Sequence, residues 1–397
     1  MSILRLAIAL FLVQWGFHGW TASLPLALAR SGAPEASVGL IMGVAAVVQI
    51  PGAVVGGRLL DRFGGVRLFA ISALAYFASA LVILVSGADP ASDLGPIVLS
   101  RVLQGIGIGL SLPSALSLVP RLAAPLRQAA ALSYVSAAHN TAMMVVPAVS
   151  LAILDVGGLP GVSWLVVGAT IVAFLLSRGL PLLPVSASTG PDLAAASRRF
   201  GITYRAAWAM PLLIVILYVA HWGVVTSYLP IRADAAGASV GLFFAMDGVG
   251  IVVTRLLTGR LTNYLSLRAL ILVGALMTGA ALLLLLLPPT DPLLVVSGLL
   301  GGAGGAIVMT PITIELSRRS SDADRGSAFA LFSAGLAAAM TIGSIGGAPV
   351  VAAFGYETGL IAGIALLLVS VALTLVNRPL AEPLHAPPAE AVSSGSA

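Results

Sequence analysis

Twelve runs of apolar residues, most of them twenty or more residues long, leave this chain little choice of architecture. A helix needs about 20 residues to cross the hydrocarbon core of a bilayer. The runs lie near 6–29, 37–60, 66–87, 94–119, 127–154 and 161–183, then near 207–230, 238–262, 267–287, 291–316, 325–353 and 356–376. In lipid every backbone N–H and C=O needs an internal partner, so such runs are expected to be helices. Hydrophobic residues make up 59% of the 397 and charged residues 9%, against about 25% charged in a soluble domain. No soluble fold of this length hides that much apolar surface, so the excess faces lipid. The expected class is an all-α membrane protein. The first run continues to about Ala29 without a small-residue cleavage site, so it reads as a span and not as a signal peptide.

All twenty basic residues are arginine, and there is no cysteine, which excludes disulfides and thiolate chemistry. A net charge of +5 in a soluble protein would point to nucleic acid. Here it reads as arginine retained on the cytoplasmic side, with no nucleic-acid partner. Arg62, Arg67, Arg121, Arg127, Arg198, Arg199, Arg205, Arg260, Arg268, Arg318, Arg319 and Arg325 fall in one set of connections or beside it. The opposite set holds mainly Glu35, Asp89, Asp93, Asp155, Asp291 and Glu357, with Arg30 and Arg232 as exceptions. The positive-inside rule then puts both termini in the cytoplasm of a bacterium whose inner membrane the chain crosses many times.

The runs fall into two sets. Residues 1–183 form a six-span half, 184–205 a small, polar, basic connecting loop, and 206–376 a second six-span half. The tail, 377–397, has the composition of a disordered segment. "SVGL" at 37–40 returns at 239–242, and "GRL" at 57–59 returns at 259–261, both 202 positions on. "TASLP" at 21–25 matches "TSYLP" at 226–230 with a small shift. The expected fold is therefore twelve transmembrane helices in two pseudo-symmetric halves. Parallel repeats of this kind place a substrate path between the halves near mid-membrane.

Two stretches carry chemistry. "GRLLDRFGGVR" (57–67) follows the second span. Glycine there permits a tight turn and close helix approach. The Asp61 carboxylate suits a neighbouring helix N-terminus, where such a contact would lock one side shut. The alternative is a loop of solvated charges that sets topology. In the second copy, "GRLTNYLS" (259–266), Asn263 replaces Asp61 and no arginine follows. "RVLQGIGIGL" (101–110) lies in the fourth span. Arg101 is about seven residues in from the outer face, where a charge is costly and marks a functional site by default. Snorkelling to the interface is the alternative. Gln104 can bond in the same neighbourhood, and Gly105 and Gly109 offer a small-residue face to another helix.

Over 1–376 the chain resembles the major facilitator superfamily of secondary transporters. Gly57, Asp61, Arg62 and Gly64 fit that family's signature loop, while Gly65 and Val66 stand where basic residues are usual. The arginine–glutamine–glycine pattern of 101–105 is similar to that of proton-coupled members. The resemblance implies a cytoplasmic gate at Gly57, Asp61, Arg62 and Gly64, and a part for Arg101 in coupling proton movement to transport. Exporters of the family carry a glycine-rich, glycine–proline motif in span five. Here "SAAHNTAMMVVPAVSLA" keeps Pro147 without the glycines. The corresponding span of the second half, "SAGLAAAMTIGSIGGAPV", is the glycine-rich one.

The remaining polar residues in the apolar runs are candidates for the transport path. Asp247 is the acid placed well inside a span, about nine residues into the eighth. A carboxylate that alternates between dry and cation-rich surroundings can load and release a proton, so Asp247 is the first candidate for the proton carrier. Arg255 lies about 12 Å further along the axis, near the cytoplasmic end, where a gating role is expected. His139 joins Asp247 and Arg101 as a candidate for proton coupling. Gln14 and His18 share a face of span one, and Tyr218, His221 and Trp222 share a face of span seven. With Gln104 and Asn140 they are the candidate cavity residues. An interhelical hydrogen bond is the alternative for each histidine. The spacing of His, Asp and Glu supports no metal site, and no cofactor is implied.

The leading expectation is a secondary transporter working by alternating access, with proton-coupled efflux of a drug-like compound or metabolite. The alternative is uptake or facilitated transport of an organic anion or sugar. An intramembrane enzyme is disfavoured, since no nucleophile–base pair, HExxH or metal cluster is present. A GxxxxGK[ST] loop is also lacking, which argues against nucleotide-driven pumping. The expected partners are the bilayer, protons and a small-molecule substrate, with the chain acting as a monomer.

Overall fold

The computed structural model describes residues 2–86, 93–181, 204–261, 264–321, 324–377 and 380. Most of the connecting loop and nearly all of the tail expected from the sequence lie outside the described residues. The elements are α1 (Ser2–Val13), α2 (Trp15–His18), α3 (Ser23–Arg30), α4 (Glu35–Phe63), α5 (Gly65–Ser86), α6 (Gly95–Leu122) and α7 (Gln128–Arg178). After the central segment come α8 (Ala206–Ala235), α9 (Val240–Leu261), α10 (Leu267–Leu284), α11 (Asp291–Arg318), α12 (Arg325–Thr341) and α13 (Ala348–Val376). A π-helical turn, Ile342–Gly346, joins the last two.

Among the described residues, ten segments are long and apolar enough to cross a membrane. The count of twelve expected from the sequence also requires α9 and a division of α7. That division exists: Gly158 breaks α7 at φ 59°, and Gly355 breaks α13 at φ 84°. Positive φ is open to glycine without a Cβ penalty. The two breaks are 197 positions apart, so the repeat shows itself in the backbone as well as in the sequence. The first span is not one rod but three pieces, α1 to α3, interrupted at Gln14 and again over 19–22.

Within each half, small residues set the helix spacing. Gly109 packs on the backbone of Gly52, bringing α6 against α4, and Gly274 packs on the Gly304 carbonyl, bringing α10 against α11. Large apolar side chains such as Leu276, Trp164 and Leu368 point outward, as helices bathed in lipid would have them. The halves meet where α4 packs on α12, α7 on α9, and α3 on α8. A buried cluster containing Trp20, Leu24, Val38, Val224, Tyr228 and Val240 holds both halves together at the Arg30 end.

Candidate functional site

Two cavities lie along the seam. The larger, about 220 Å³, is lined mostly by α8, α9, α10 and α11 of the second half, with Asn140 and Met143 contributed by α7. The smaller, about 60 Å³, straddles the halves and is lined by residues from α2, α4, α6, α7, α8, α9 and the α12 region. Asp247, Trp222 and Met143 line both, so they form the wall between them.

Asp247 is 7% exposed. Its carboxylate makes no hydrogen bond or ion pair among the described residues. The backbone around it is gripped closely: Gly302 abuts the Asp247 carbonyl and Gly298 abuts the Phe243 carbonyl, locking α11 onto α9. A side chain at either glycine would collide, so the "SGLLGGAGG" face of α11 is what lets the two helices approach.

Arg101 is 3% exposed and does not snorkel. Its Nε donates to the Ile41 carbonyl at 3.3 Å, its Nη2 to the Met42 carbonyl at 2.5 Å and its Nη1 to Gln104 Oε1 at 2.5 Å. Phe17 lies 5.8 Å from the guanidinium. Gln104 in turn donates to Ser100 Oγ at 3.0 Å. Arg101 lines the smaller cavity, whereas Gln104, expected to do so, stands behind the wall and orients the guanidinium.

Gln14 also stands behind the wall. It is fully buried, accepts from Ser111 Oγ at 3.2 Å, and bonds His139 Nδ1 through its Nε2 at 2.5 Å. With the amide donating, His139 Nδ1 accepts, so a neutral ring carries its proton on Nε2. His139 faces His18 at 6.0 Å between ring centres and lines neither cavity. His18 does line the smaller cavity, and its Nε2 is buried without a partner.

In the second half, Tyr218, His221 and Trp222 all reach the larger cavity. The Tyr218 hydroxyl and Thr278 Oγ1 are 2.6 Å apart, and His221 Nδ1 bonds the Tyr218 carbonyl at 2.6 Å. A neutral His221 must donate from Nδ1 to that carbonyl, which leaves Nε2 as an acceptor. Trp222 stacks among Phe243 and Phe244. Asn140 lines the same cavity.

Arg255 lies two helical turns beyond Asp247 on α9, near its end and exposed, and the larger cavity extends far enough to be lined by it as well. Of the expected gate, Arg62 is exposed over the Phe63 ring, and Gly64 ends α4 at φ 79°. At Gly57 and Asp61 nothing beyond the helical backbone is described.

Several features were not foreseen. Gln49, Thr21, Thr226 and Ser227 line the smaller cavity, and Thr278 and Ser297 the larger. Glu315 is a second buried acid, 3% exposed, paired with Arg319 at 2.6 Å; their i,i+4 spacing was visible in the sequence. At the far end, Arg30 bonds Asp155 of its own half at 2.7 Å and Asp234 of the other half at 2.7 Å, so it bridges the halves. Among the described residues no group of His, Asp or Glu is placed to hold a metal ion.

A family model described as the Major Facilitator Superfamily matches residues 6–246 and 232–395. The chain belongs to that superfamily. A 161-residue stretch, 38% of the chain, is 29% identical to an uncharacterised MFS-type transporter of Mycobacterium tuberculosis, covering 27% of it. A 135-residue stretch, 34% of the chain, is 33% identical to the maltose permease of Geobacillus stearothermophilus, covering 33% of it. These alignments thus span about a third or less of either relative. The fold matches across nearly the whole length. A POT family transporter, solved with a thioalcohol-conjugated peptide, superposes with a TM-score of 0.77 over 96% of both chains at 13% identity. The chain is a multi-pass membrane protein of that superfamily.

Proposed function

We propose that this transporter is proton-coupled and exports a small organic molecule from a bacterial cytoplasm by rocking its halves about the cavities on their seam. Asp247 carries the proton. The observation that supports this reading is a buried, unpartnered carboxylate shared by the walls of both cavities. A carboxylate in that setting is tolerated protonated, and ionises when water or a cation reaches it. Arg101, fixed by two backbone carbonyls of α4, holds a permanent positive charge on the opposite wall of the smaller cavity. It favours proton release when the cavity contracts around both groups.

With both termini cytoplasmic, the Arg30 end is the outer one, and the structure is closed there by Arg30, Asp155 and Asp234. The gate at Gly57, Asp61, Arg62 and Gly64 then belongs to the cytoplasmic side.

A second reading, uptake or facilitated transport of an organic anion or sugar, is favoured by Arg101, His18 and Gln49 converging on the smaller cavity. The stretch shared with a maltose permease points the same way. The test is made in liposomes holding a pH-sensitive dye under an imposed pH gradient, with organic cations, anions and neutral sugars added in turn. Substrate-driven proton flux that vanishes in Asp247→Asn is expected. Labelled substrate that enters without any proton movement would sink the coupled reading in favour of the second.

A further inference from the structure

The two halves treat one position in opposite ways. Tyr76 and Thr278 are 202 residues apart, at the same step of the repeat, on α5 and α10. In the first half the Tyr76 ring is fully buried, with Gly107 of α6 lying flat against it. Gly304 of α11 lies against Thr278 in the same manner, 197 positions after Gly107. The first half therefore carries a phenol ring on α5 where the second half carries a threonine on α10, whose hydroxyl meets the Tyr218 phenol of α8 at 2.6 Å. Both Thr278 and Tyr218 line the larger cavity.

The glycines of α11 sort into two kinds. A Cβ at Gly302 or Gly298 would collide with the backbone of α9. A Cβ at Gly301 would meet nothing nearer than Asp247 Oδ1 at 3.7 Å, and one at Gly305 nothing nearer than the Tyr218 hydroxyl at 4.0 Å. Helix packing does not require glycine at 301 and 305; their missing side chains are what opens the cavity. Among the described residues, three buried polar side chains on its wall lack partners: the Ser297 hydroxyl, fully buried, the Asp247 carboxylate and the Asn140 amide. The rest of the wall is flat or apolar at Trp222, Phe243, Leu282 and Met309, and polar at Tyr218, His221, Thr278 and Arg255.

We propose that this compartment inside the second half binds a ring-bearing part of the cargo, whose N–H or O–H head donates to Asp247, and that Thr278, Gly301 and Gly305 set the size it accepts. An apolar cavity of about 150 Å³ takes benzene. At about 220 Å³ this one suits a single ring with a short side chain or two fused rings. The lining comes mostly from the second half, with Asn140 and Met143 of the first half at its edge, and Asp247 stands on the wall shared with the smaller cavity. The inference rests on the transport reading only in treating the ring as cargo.

The experiment is titration calorimetry in detergent at one pH, with 2-phenylethylamine, 2-phenylethanol and phenylacetate as probes. No gradient is imposed, so loss of ring binding and loss of proton flux are separate results. The amine or the alcohol is expected to bind, phenylacetate to bind more weakly, and Gly305→Leu to weaken binding about tenfold or more. Thr278→Tyr, which copies the first half, is expected to do the same, while Gly168→Leu, at an exposed position with open space around it, leaves binding unchanged. Cooperative melting confirms that each variant is folded, and Gly305→Ala, which has room for its Cβ, serves if the leucine variant is not. Wild-type protein that melts cooperatively but binds none of the probes overturns the proposal. So does undiminished binding by folded Gly305→Leu, or tighter binding of phenylacetate than of the amine and alcohol.

Discussion

The two halves share a backbone and divide the chemistry. Arg101 of the first half reaches the carbonyl of Ile41; in the second half Gly298 lies on the carbonyl of Phe243. Ile41 and Phe243 are 202 apart, and Arg101 and Gly298 are 197 apart, the same shift that relates the breaks at Gly158 and Gly355. Likewise Gly105 lies on the Ala45 carbonyl and Gly302 on the Asp247 carbonyl. One helix contact thus carries an arginine in the first half and an aspartate in the second, each beside a small residue at the other's place. The difference teaches that a duplicated scaffold can hold two opposite charges on facing walls without letting them pair. Had one half carried both, they would have formed a buried ion pair, costly to make and costly to break.

The comparison breaks first at Asp247 and Arg101. If the second half carries the proton and the first half supplies a fixed charge, Asp247→Asn abolishes substrate-driven proton flux outright. Arg101→Lys keeps the charge but cannot reach two carbonyls and Gln104 together. Its flux is expected to be slowed, not lost. Hydrogen bonds to charged groups contribute about 1.5–3 kcal/mol each, so a lower melting temperature accompanies the change. Abolished flux in Arg101→Lys together with retained flux in Asp247→Asn would move the coupling into the first half.

The glycines sharpen the contrast at a smaller scale. Gly302→Ala forces α11 away from the Asp247 carbonyl, and overpacking of this kind costs about 1–3 kcal/mol. Gly301→Ala, one residue earlier, has room and is expected to leave thermal stability unchanged. Denaturation of the two variants side by side checks this, and equal losses would mean that both glycines serve helix packing alone.

Much of this was legible in the sequence because the bilayer imposes long runs and internal bonding on any chain that crosses it. Two halves, the buried Arg101, and the small faces of Gly105 and Gly109 follow from that constraint plus a repeat of a few residues. The cavity wall was harder to read. Gln14 and Gln104 look like cavity residues from their position along a helix, but helix rotation and neighbours turned both inward, onto His139 and Arg101. That the larger cavity reaches Arg255 was not legible, because distance along an axis does not tell how far a cavity extends. Thr278 gave no signal at all: an ordinary residue became informative only when set against Tyr76. Arg30 looked like a stray charge on the wrong side, since its partners, Asp155 and Asp234, lie 125 and 204 residues away.

Arg30 supplies the smallest expected effect. Its side chain is 42% exposed, and those of Asp155 and Asp234 are 57% and 37% exposed. Pairs this open are screened by water and salt and contribute about 0.2–1 kcal/mol each. Only the pair with Asp234 joins the halves, so Arg30→Gln should shift the balance between closed and open outer ends by no more than about fivefold. The absence of cysteine makes the shift measurable. A single Thr21→Cys, on the wall of the smaller cavity toward the Arg30 end, can be titrated with a membrane-impermeant maleimide from outside. Labelling is expected to speed up in Arg30→Gln at low salt, and the difference to shrink near 1 M salt, where the screening length falls to about 3 Å. A rate unchanged at every salt concentration would remove the triad from the gate. Acceleration well beyond fivefold would mean that Arg30 restrains more than its two visible carboxylates, and that the closed end depends on it more than exposed charges allow.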